Sequence, residues 1–181
     1  MAKYIYVIRH CEAQGQSSDA SLTVHGFHQA EVLAEFFADK KIDRIIASPF
    51  LRAIQTIEPL SKRENINIEI DERLAERILS TRNLPDWYAK LQATFTDMDL
   101  KFDNGESSNE AMERIVNVVE ETIKSESEHT IIVSHGNIIT LLLKNYNNDV
   151  DFRFWTHLSN PDVFQISVMD YEVTVERMWE I

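Results

Sequence analysis

Two histidines in this chain each follow an apolar run that is typical of a buried β-strand. Residues 4–8 run into Arg9 and His10, and residues 130–134 run into His135. In open α/β sheets, ligands bind at the carboxyl ends of the strands. An edge that carries two imidazoles, the first of them beside an arginine, therefore predicts a site for a phosphorylated substrate.

Phosphate chemistry explains why these residue types would stand together. The fork of Arg9 suits phosphate oxygens, because it can form paired, charge-assisted hydrogen bonds with them. An unprotonated imidazole nitrogen, as on His10, is a nucleophile that can hold a phosphoryl group transiently. Gly136 follows His135 at a predicted junction of strand and helix, where free amides and the helix dipole favour an anion. Each feature alone also fits a plain turn or a surface pair, and their combination favours chemistry.

Two more side chains are candidates for the same site. Arg52 lies just inside the helix predicted after Ser48 and Pro49, and it could reach the same sheet edge as a second arginine. Glu76 lies in the charged run 71–77, and a carboxyl group there could protonate a leaving alkoxide and then activate water. On the residues alone, a solvated surface charge is the commoner interpretation of both.

Other chemistries have weaker support. Cys11 beside His10 suggests a cysteine phosphatase, but residues 12–17 supply no arginine for the anion-binding loop that such a thiolate needs. His25 and His28 are three residues apart and could share a helix face, yet a metal ion would need further ligands. We therefore expect no metal and no other cofactor.

Apolar runs and helical patterns alternate along the chain and predict how these residues are positioned. The predicted strands cover about 4–8, 43–47, 66–70, 130–134, 163–169 and 172–179, the last two joined by a tight hairpin at Asp170-Tyr171. The predicted helices cover about 26–40, a segment capped by Ser48-Pro49 that Pro59 kinks or ends, a segment that begins with a capping box at Ser107 and Glu110, and a buried segment around 138–143. This alternation predicts an α/β fold, a three-layer sandwich whose mostly parallel central sheet is flanked by helices. We expect a single domain over residues 1–181, with a short helical excursion at about 77–104.

Composition narrows the class of protein. The 181 residues are 44% hydrophobic, and the formal net charge of −12 disfavours nonspecific binding to nucleic acid or to an anionic membrane. No stretch approaches the roughly 20 apolar residues of a membrane span. The N-terminus shows no signal-peptide pattern, and the single cysteine excludes an internal disulfide. We expect a cytoplasmic protein that acts on a small phosphorylated metabolite; the oligomeric state cannot be read from the sequence.

Six segments, in order over roughly residues 4–140, carry a resemblance to a known family. They are Arg9-His10-Cys11-Glu12, Leu22-Thr23 with Gly26 and Gln29-Ala30, Ser48-Pro49-Phe50-Leu51-Arg52-Ala53 with Gln55-Thr56, Leu74-Ala75-Glu76, Gly105-Glu106-Ser107, and Ser134-His135-Gly136. This series resembles the motifs of the histidine phosphatase superfamily, also called phosphoglycerate mutase-like proteins. Any one segment is weak evidence, but six in the family's order are specific.

The resemblance implies roles for the candidate residues. By resemblance, His10 becomes phosphorylated, the pocket around the phosphoryl group is formed by Arg9, Arg52 and His135, and Glu76 donates and accepts the proton without a metal. The expected substrate-binding residues are Arg9, Gln16, Arg52, His135, Gly136 and Asn137.

Two positions depart from the family pattern. Cys11 stands where the family has glycine, so its side chain could narrow the pocket, lower activity or make the site sensitive to oxidation. Gln16 stands where the family's mutases carry an asparagine that contacts phosphate, and a glutamine can still donate from a longer arm.

The resemblance leaves three functions open. We favour a phosphatase that hydrolyses small phosphate monoesters through a phosphohistidine, because the stretch between Glu76 and Glu106 is shorter than the insertion that covers the site in the family's mutases. The alternatives are a phosphoglycerate mutase and a phospho-ligand binder that has lost turnover, for which Cys11 is the main support.

Specificity should come from residues of about 77–104 and of the 11–21 loop. Trp87 and Tyr88 could wall the pocket, although aromatic residues in a short helix more often belong to a core. Arg73, Arg77 and Arg82 could contact a second anionic group, although solvated charges are the safer interpretation.

Overall fold

A computed structural model describes residues 2–179 of the chain. The strands are β1 Lys3–Arg9, β2 Arg44–Ala47, β3 Ile68–Ile70, β4 His129–Ser134, β5 Asp162–Met169 and β6 Glu172–Arg177. The α-helices are α1 Val24–Phe36, α2 Leu51–Glu64, α3 Trp87–Thr96, α4 Ser108–Lys124, α5 Gly136–Tyr146 and α6 Phe152–Thr156, with a 3₁₀ turn at Glu72–Leu74. The short helix α3 lies within the predicted excursion at 77–104.

The six strands form one sheet in the order β3-β2-β4-β1-β5-β6. The first four of these are parallel to their neighbours, whereas β5 pairs antiparallel with both β1 and β6. This arrangement confirms the predicted α/β fold with a mostly parallel central sheet. It also places β1 and β4, the two strands that lead into histidines, side by side.

The sheet is buried on both faces because alternate strand residues enter two different cores. Ile5 and Val7 of β1 pack with residues of α4 and α5, whereas Tyr6 and Ile8 pack with residues of α1 and α2. The alternation follows from the two-residue period of a strand. Helices therefore cover the sheet on each side, as a three-layer sandwich requires.

Side-chain caps set the start of the long helices. Helix α1 begins at Val24, two residues before the predicted start, because Thr23 Oγ1 accepts a hydrogen bond from the Gly26 amide at 2.9 Å. It ends at Phe36 and not near residue 40, because Ala38 and Lys40 donate to carbonyl oxygens three residues back and not four. Helix α4 begins with the predicted capping box, in which Ser107 and Glu110 cap each other.

The predicted start of α2 is wrong. The helix begins at Leu51 after an extended Phe50, which is its N-cap. The Ser48 hydroxyl accepts from Phe50 N at 3.2 Å and bonds to a histidine of the site described below, so it caps no amide of the helix. Pro59 does not end the helix, which continues to Glu64.

The last two strands form the expected hairpin. Asp170 and Tyr171 both have positive φ values, 48° and 70°, which is typical of the tight two-residue loops that match strand twist. Strand β6 ends at Arg177, two residues earlier than predicted. Strand β3 is shorter than the predicted 66–70, because it is an edge strand that pairs only with β2 along three residues.

Helix α5 is buried on nearly every side, as its apolar sequence indicates. It starts at the carboxyl end of β4 and packs against α4 in the core. Within residues 2–179, no helix combines the length and the apolar character needed to cross a membrane.

Candidate active site

The two histidines that follow β1 and β4 meet at one edge of the sheet. Because the strands are adjacent and parallel, with Arg9 paired to Ser134, the next residue of each strand emerges at the same level. The ring centroids of His10 and His135 are 5.2 Å apart, and the rings meet edge to face. Residues 125 positions apart in the chain are thereby placed in one small cluster.

A backbone carbonyl fixes the tautomer of His10. Its Nδ1 lies 2.7 Å from the carbonyl oxygen of Cys11. A carbonyl only accepts, so Nδ1 carries the proton and donates it, which leaves the lone pair on Nε2. Arg52 Nε donates to that Nε2 at 3.2 Å, which agrees with this assignment.

The surroundings of His10 keep its ring neutral. Burial is the main cause that lowers its pKa to about 3, and the nearby charges of Arg52 and Arg9 lower it further, against the opposing effect of the Cys11 carbonyl. An imidazole is a nucleophile only when neutral. The His10 ring is therefore in the neutral form that a nucleophilic imidazole needs at neutral pH.

His135 lies behind His10, away from the open cavity. It is 0% exposed, and its Nε2 is hydrogen-bonded to the hydroxyl of Ser48 at 2.7 Å. The ring of Phe50 packs against it with centroids 4.8 Å apart. Burial, followed by the nearby His10 and arginines, holds the pKa of His135 well below its usual value. His135 is thus a neutral, rigidly held ring that supports the first histidine.

Arg52 also lies beneath His10. Its guanidinium is 1% exposed, and Nη1 donates to the carbonyl oxygens of Gln16 and Ser17 at 3.2 and 2.7 Å. The guanidinium thereby fixes the loop that follows Cys11 while its Nε contacts His10. Burial lowers the pKa of Arg52 from its ordinary value.

Arg9 lies on the cavity wall and is fixed by close packing. Its Nη1 donates to the carbonyl oxygens of Leu158 and Ser159 at 3.2 and 3.3 Å. The guanidinium rests directly on Gly136, where a Cβ atom would approach its Nε within 2.9 Å. Glycine at 136 therefore lets the guanidinium lie directly against the backbone.

Glu76 occupies the anion site that the sequence predicted at the start of α5. Its carboxylate accepts hydrogen bonds from the amides of Asn137 and Ile138 at 3.0 Å each, and from Arg77 N at 2.8 Å. The expectation that the amides after Gly136 are free for a ligand is wrong, because a carboxylate of the chain already satisfies them. This arrangement fixes Glu76 at the cavity rather than on a solvated surface.

Arg114 of α4 holds the segment that presents Glu76. It donates to the carbonyl oxygens of Arg73, Ala75 and Glu76 at 2.6, 2.8 and 3.2 Å. Its Nε forms an ion pair with Glu106 at 2.6 Å. The Gly-Glu-Ser element at 105–107 thus has a structural part in the site, which its motif alone did not reveal.

A cavity of about 540 Å³ opens above His10. Its walls are formed by Arg9, His10, Glu12, Ala13, Gly15, Gln16, Glu76, Arg77, Leu79, Trp87, Leu91, Gly136, Asn137, Trp155 and Asn160. Six of the eight residues predicted for the site are on this wall. The other two, Arg52 and His135, lie behind it in contact with His10.

Two asparagines complete the wall near His10. Asn137 is 5% exposed, and both polar atoms of its side chain are buried without a partner within the described part of the chain. An unpaired buried amide is costly, so this side chain is suited to a polar ligand. Asn160 was missed by sequence reasoning; its Nδ2 donates to the carbonyl oxygen of His10 at 2.8 Å.

Cys11 does not enter the cavity. Its side chain is 0% exposed and packs in a small apolar cluster with Leu22 and Ala30. Burial raises the pKa of its thiol to about 12. The expectation that Cys11 narrows the pocket or makes it sensitive to oxidation is therefore wrong, because a buried, protonated thiol is inert.

His25 and His28 both lie exposed on α1, away from the cavity wall. Across residues 2–179, no three side chains of the His, Cys, Asp or Glu type are grouped as a metal ion would need.

The chain matches the model of one known protein family. The family model described as "Histidine phosphatase superfamily (branch 1)" matches residues 5–180, nearly the whole chain. The matched range includes every residue of the cluster around His10.

Three relatives illustrate the similarity. "Putative phosphoserine phosphatase 2" of Hydrogenobacter thermophilus is 28% identical over 181 residues, covering 91% of this chain and 89% of that protein. "Probable phosphoglycerate mutase GpmB" of Serratia proteamaculans is 27% identical and covers 73% of this chain and 69% of that protein. The solved structure of a mycobacterial glucosyl-3-phosphoglycerate phosphatase is similar in fold, with a TM-score of 0.78 at 23% identity, over 98% of this chain and 97% of that one.

Proposed function

Because the chain belongs to the histidine phosphatase superfamily, we propose that it hydrolyses small phosphate monoesters through a phosphorylated His10. The proposal rests on which nitrogen of the His10 ring carries the proton. Its Nδ1 proton is held by the Cys11 carbonyl, so Nε2 is the nitrogen with the lone pair; it accepts a hydrogen bond from Arg52 Nε at 3.2 Å, and the ring lies on the wall of a cavity that also carries Arg9 and Glu76. A cavity of about 540 Å³ is in the size range of small-molecule sites.

In the first step, the phosphate takes over the hydrogen bond that Arg52 Nε donates to His10 Nε2, and the freed lone pair of Nε2 attacks phosphorus. The new N–P bond forms while the bond from phosphorus to the ester oxygen breaks. The carboxyl group of Glu76 gives a proton to the leaving oxygen, and the alcohol departs. Glu76 is left as the carboxylate that Asn137 and Ile138 hold by their amides.

In the second step, water attacks the phosphoryl group on His10. Its proton passes to the Glu76 carboxylate, the N–P bond breaks, and inorganic phosphate leaves. Both side chains then return to their starting states. Each bond that forms is matched by one that breaks, and no group outside the chain, the ester and water takes part.

The positive groups around His10 supply the electrostatic part of catalysis. Arg9 faces the cavity, Arg52 contacts Nε2 from beneath, and the neutral His135 ring fixes the position of His10. Because packing and carbonyl bonds already hold these groups, they need no reorganisation when negative charge accumulates on the transferred group. Asn137 has an unpaired amide for one phosphate oxygen.

A mutase is the second candidate. Its support is the similarity to the protein of Serratia proteamaculans whose name describes a phosphoglycerate mutase. A mutase must hold a second acidic group and shield the phosphohistidine from water. The described cavity wall instead carries the exposed Glu12 and, besides Arg9, only the buried cation Arg77, which supports hydrolysis.

The binder that has lost turnover has little remaining support. Its main support was Cys11 in place of glycine, and that side chain packs outside the cavity with Leu22 and Ala30.

A small phosphorylated metabolite remains the proposed ligand. The cytoplasmic location stays part of the proposal on grounds of composition, and cell fractionation can test it.

The decisive assay measures phosphate release and interconversion of 3- and 2-phosphoglycerate with one preparation. We expect release from a panel of phosphate esters, including p-nitrophenyl phosphate, to exceed interconversion, and to be abolished in His10→Ala. Interconversion that is faster than release would favour the mutase. The absence of turnover on every ester would favour the binder.

A further inference from the structure

The cavity has two chemically different ends. Beside Arg9, His10 and Asn137, its wall is polar. Four apolar side chains that are grouped by their mutual contacts line the same space and form its apolar end: Leu79, Trp87, Leu91 and Trp155. An ester whose phosphate is held at His10 shares this cavity with the apolar end, which offers a surface for its alcohol part.

The apolar end is a built wall of aromatic rings. Trp87 of α3 and Trp155 of α6 meet edge to face, with centroids 6.4 Å apart. Trp155 packs on Phe152 at 5.3 Å, and Phe152 packs on Phe95 at 5.9 Å, next to the buried Leu91. The wall is thus anchored in a hydrophobic cluster and is rigid.

One ring of this wall is left uncovered at the cavity. Trp87 is 48% exposed, although its neighbour Leu91 on the same helix is buried. A half-exposed indole beside a polar pocket gains free energy when an apolar group of a ligand covers it.

The charges of the wall disfavour a second anionic group. Its cations within the described chain are Arg9 and Arg77. Arg77 is 6% exposed, and its two terminal nitrogens donate to Thr94, Ser108 and the carbonyl oxygen of Glu106. Its Nε is buried without a partner among the described residues, and a ligand that took the two terminal nitrogens would leave Thr94, Ser108 and the Glu106 carbonyl without theirs.

Arg73 and Arg82, which the sequence also suggested as contacts for a second anionic group, form ion pairs within the protein instead. Arg73 forms ion pairs with Asp71 and Glu121, and Arg82 pairs with Asp103. Neither is part of the cavity wall.

We propose that the site selects phosphate monoesters of uncharged alcohols that carry an aromatic or other planar apolar group, which packs on Trp87 and Trp155. This inference rests on the proposed phosphatase function and names its substrate class. Esters whose alcohol carries a carboxylate are poor substrates, because the exposed Glu12 repels it, Arg9 is used by the phosphate, and the terminal nitrogens of Arg77 are used by the protein.

The test compares three esters of primary alcohols: 2-phenylethyl phosphate, ethyl phosphate and 3-phosphoglycerate. Similar leaving groups ensure that differences in kcat/KM report recognition of the alcohol. We expect the wild type to prefer the phenylethyl ester to the ethyl ester by about tenfold or more, the value of one well-packed apolar group. We expect 3-phosphoglycerate to be the poorest of the three.

Variants then assign the preference to the wall. Trp87→Ala should lose about tenfold in kcat/KM for the phenylethyl ester, mainly through KM, and less than about twofold for the ethyl ester. Trp87→Phe should keep most of the preference. Phe27→Ala is the matched control, because Phe27 is a half-exposed aromatic residue on α1, outside the cavity wall, and its loss should change neither ester.

A binding measurement separates this inference from the proposed function. Calorimetry with 2-phenylethylphosphonate and ethylphosphonate reports recognition without turnover. Tighter binding of the phenylethyl compound, together with no hydrolysis of any ester, would refute the phosphatase function but support recognition of the ligand by the aromatic wall. Equal kcat/KM and equal affinity for the two compounds in the wild type, or a preference for 3-phosphoglycerate, would overturn the inference, and this comparison does not depend on the folding of any variant.

Discussion

Replacement of Gly136 by alanine tests whether the position of Arg9 controls activity. The added Cβ would lie 2.9 Å from Nε, 3.1 Å from Cζ and 3.3 Å from Nη2 of Arg9. All three contacts are with the guanidinium, not with the backbone. The fold therefore has room to accept the methyl group, provided that the guanidinium moves.

The required movement sets the size of the effect. Ordinary contact begins at 3.4 Å, so Nε must retreat by about half an ångström. A displacement of 1 Å in a catalytic group can cost about a hundredfold in rate, so roughly half that displacement should cost about tenfold in kcat/KM. Since alanine is a better helix former than glycine, the free energy of unfolding should change by less than about 1 kcal/mol.

Steady-state hydrolysis of 2-phenylethyl phosphate and urea unfolding, on the same preparations, measure both quantities. Gly15→Ala is the matched control, because Gly15 is on the same cavity wall but its Cβ would meet only Ala20, at 3.9 Å. The control should keep wild-type activity and stability.

Two results would refute this reasoning. Full activity in Gly136→Ala would show that the location of the Arg9 guanidinium is unimportant. An equal loss in Gly15→Ala would show that the cavity wall responds to any added methyl group, whatever its neighbours.

Three further predictions follow from the site. His10 takes up a proton near pH 6.5 in the unfolded chain but only near pH 3 in the folded chain, so acid weakens the fold between those values by about 1.36 kcal/mol per pH unit. Urea titrations between about pH 6 and pH 4 should therefore show that wild type loses roughly 2–3 kcal/mol more stability than His10→Asn, and parallel losses would contradict the assigned pKa. Glu76→Gln should lower kcat by about 10²–10⁴ on 2-phenylethyl phosphate and much less on p-nitrophenyl phosphate, whose leaving group needs no proton; equal losses would remove Glu76 as the acid. Cys11, the only cysteine of the chain, should react with a thiol reagent such as DTNB only after denaturation, and fast reaction of the native protein would show that the thiol is accessible.

Features that depend on nearby residues could be predicted from the sequence. The apolar runs before His10 and His135 predicted two strands, and their parallel pairing brought both histidines to one edge. The capping box of Ser107 and Glu110 marked the start of α4 because both of its partners lie within one turn. The family motifs then supplied Arg52 and Glu76, which the charge pattern alone left as surface residues.

Features that depend on distant contacts could not be predicted. Ser48 looked like a helix cap, yet its hydroxyl bonds to a ring 87 positions away. Asn160 reaches the carbonyl of His10 across 150 positions, and nothing in its local sequence indicated more than a turn.

The aromatic wall also depends on contacts between distant parts of the chain. Trp87 and Trp155 come from helices far apart in the chain, so only the packed structure shows that they share a cavity. The occupation of the α5 amides by Glu76 is a further case, because the sequence showed an anion site without its anion.

Trapping of the phosphoryl group tests the central claim most directly. The enzyme is mixed with radiolabelled 2-phenylethyl phosphate, quenched in alkali within one turnover and digested, and the labelled peptide is sequenced. We predict an acid-labile, base-stable label on the peptide that contains His10, and none in His10→Ala. Label on any other residue, or undiminished turnover by His10→Ala, would contradict the assignment of His10 Nε2 as the nucleophile.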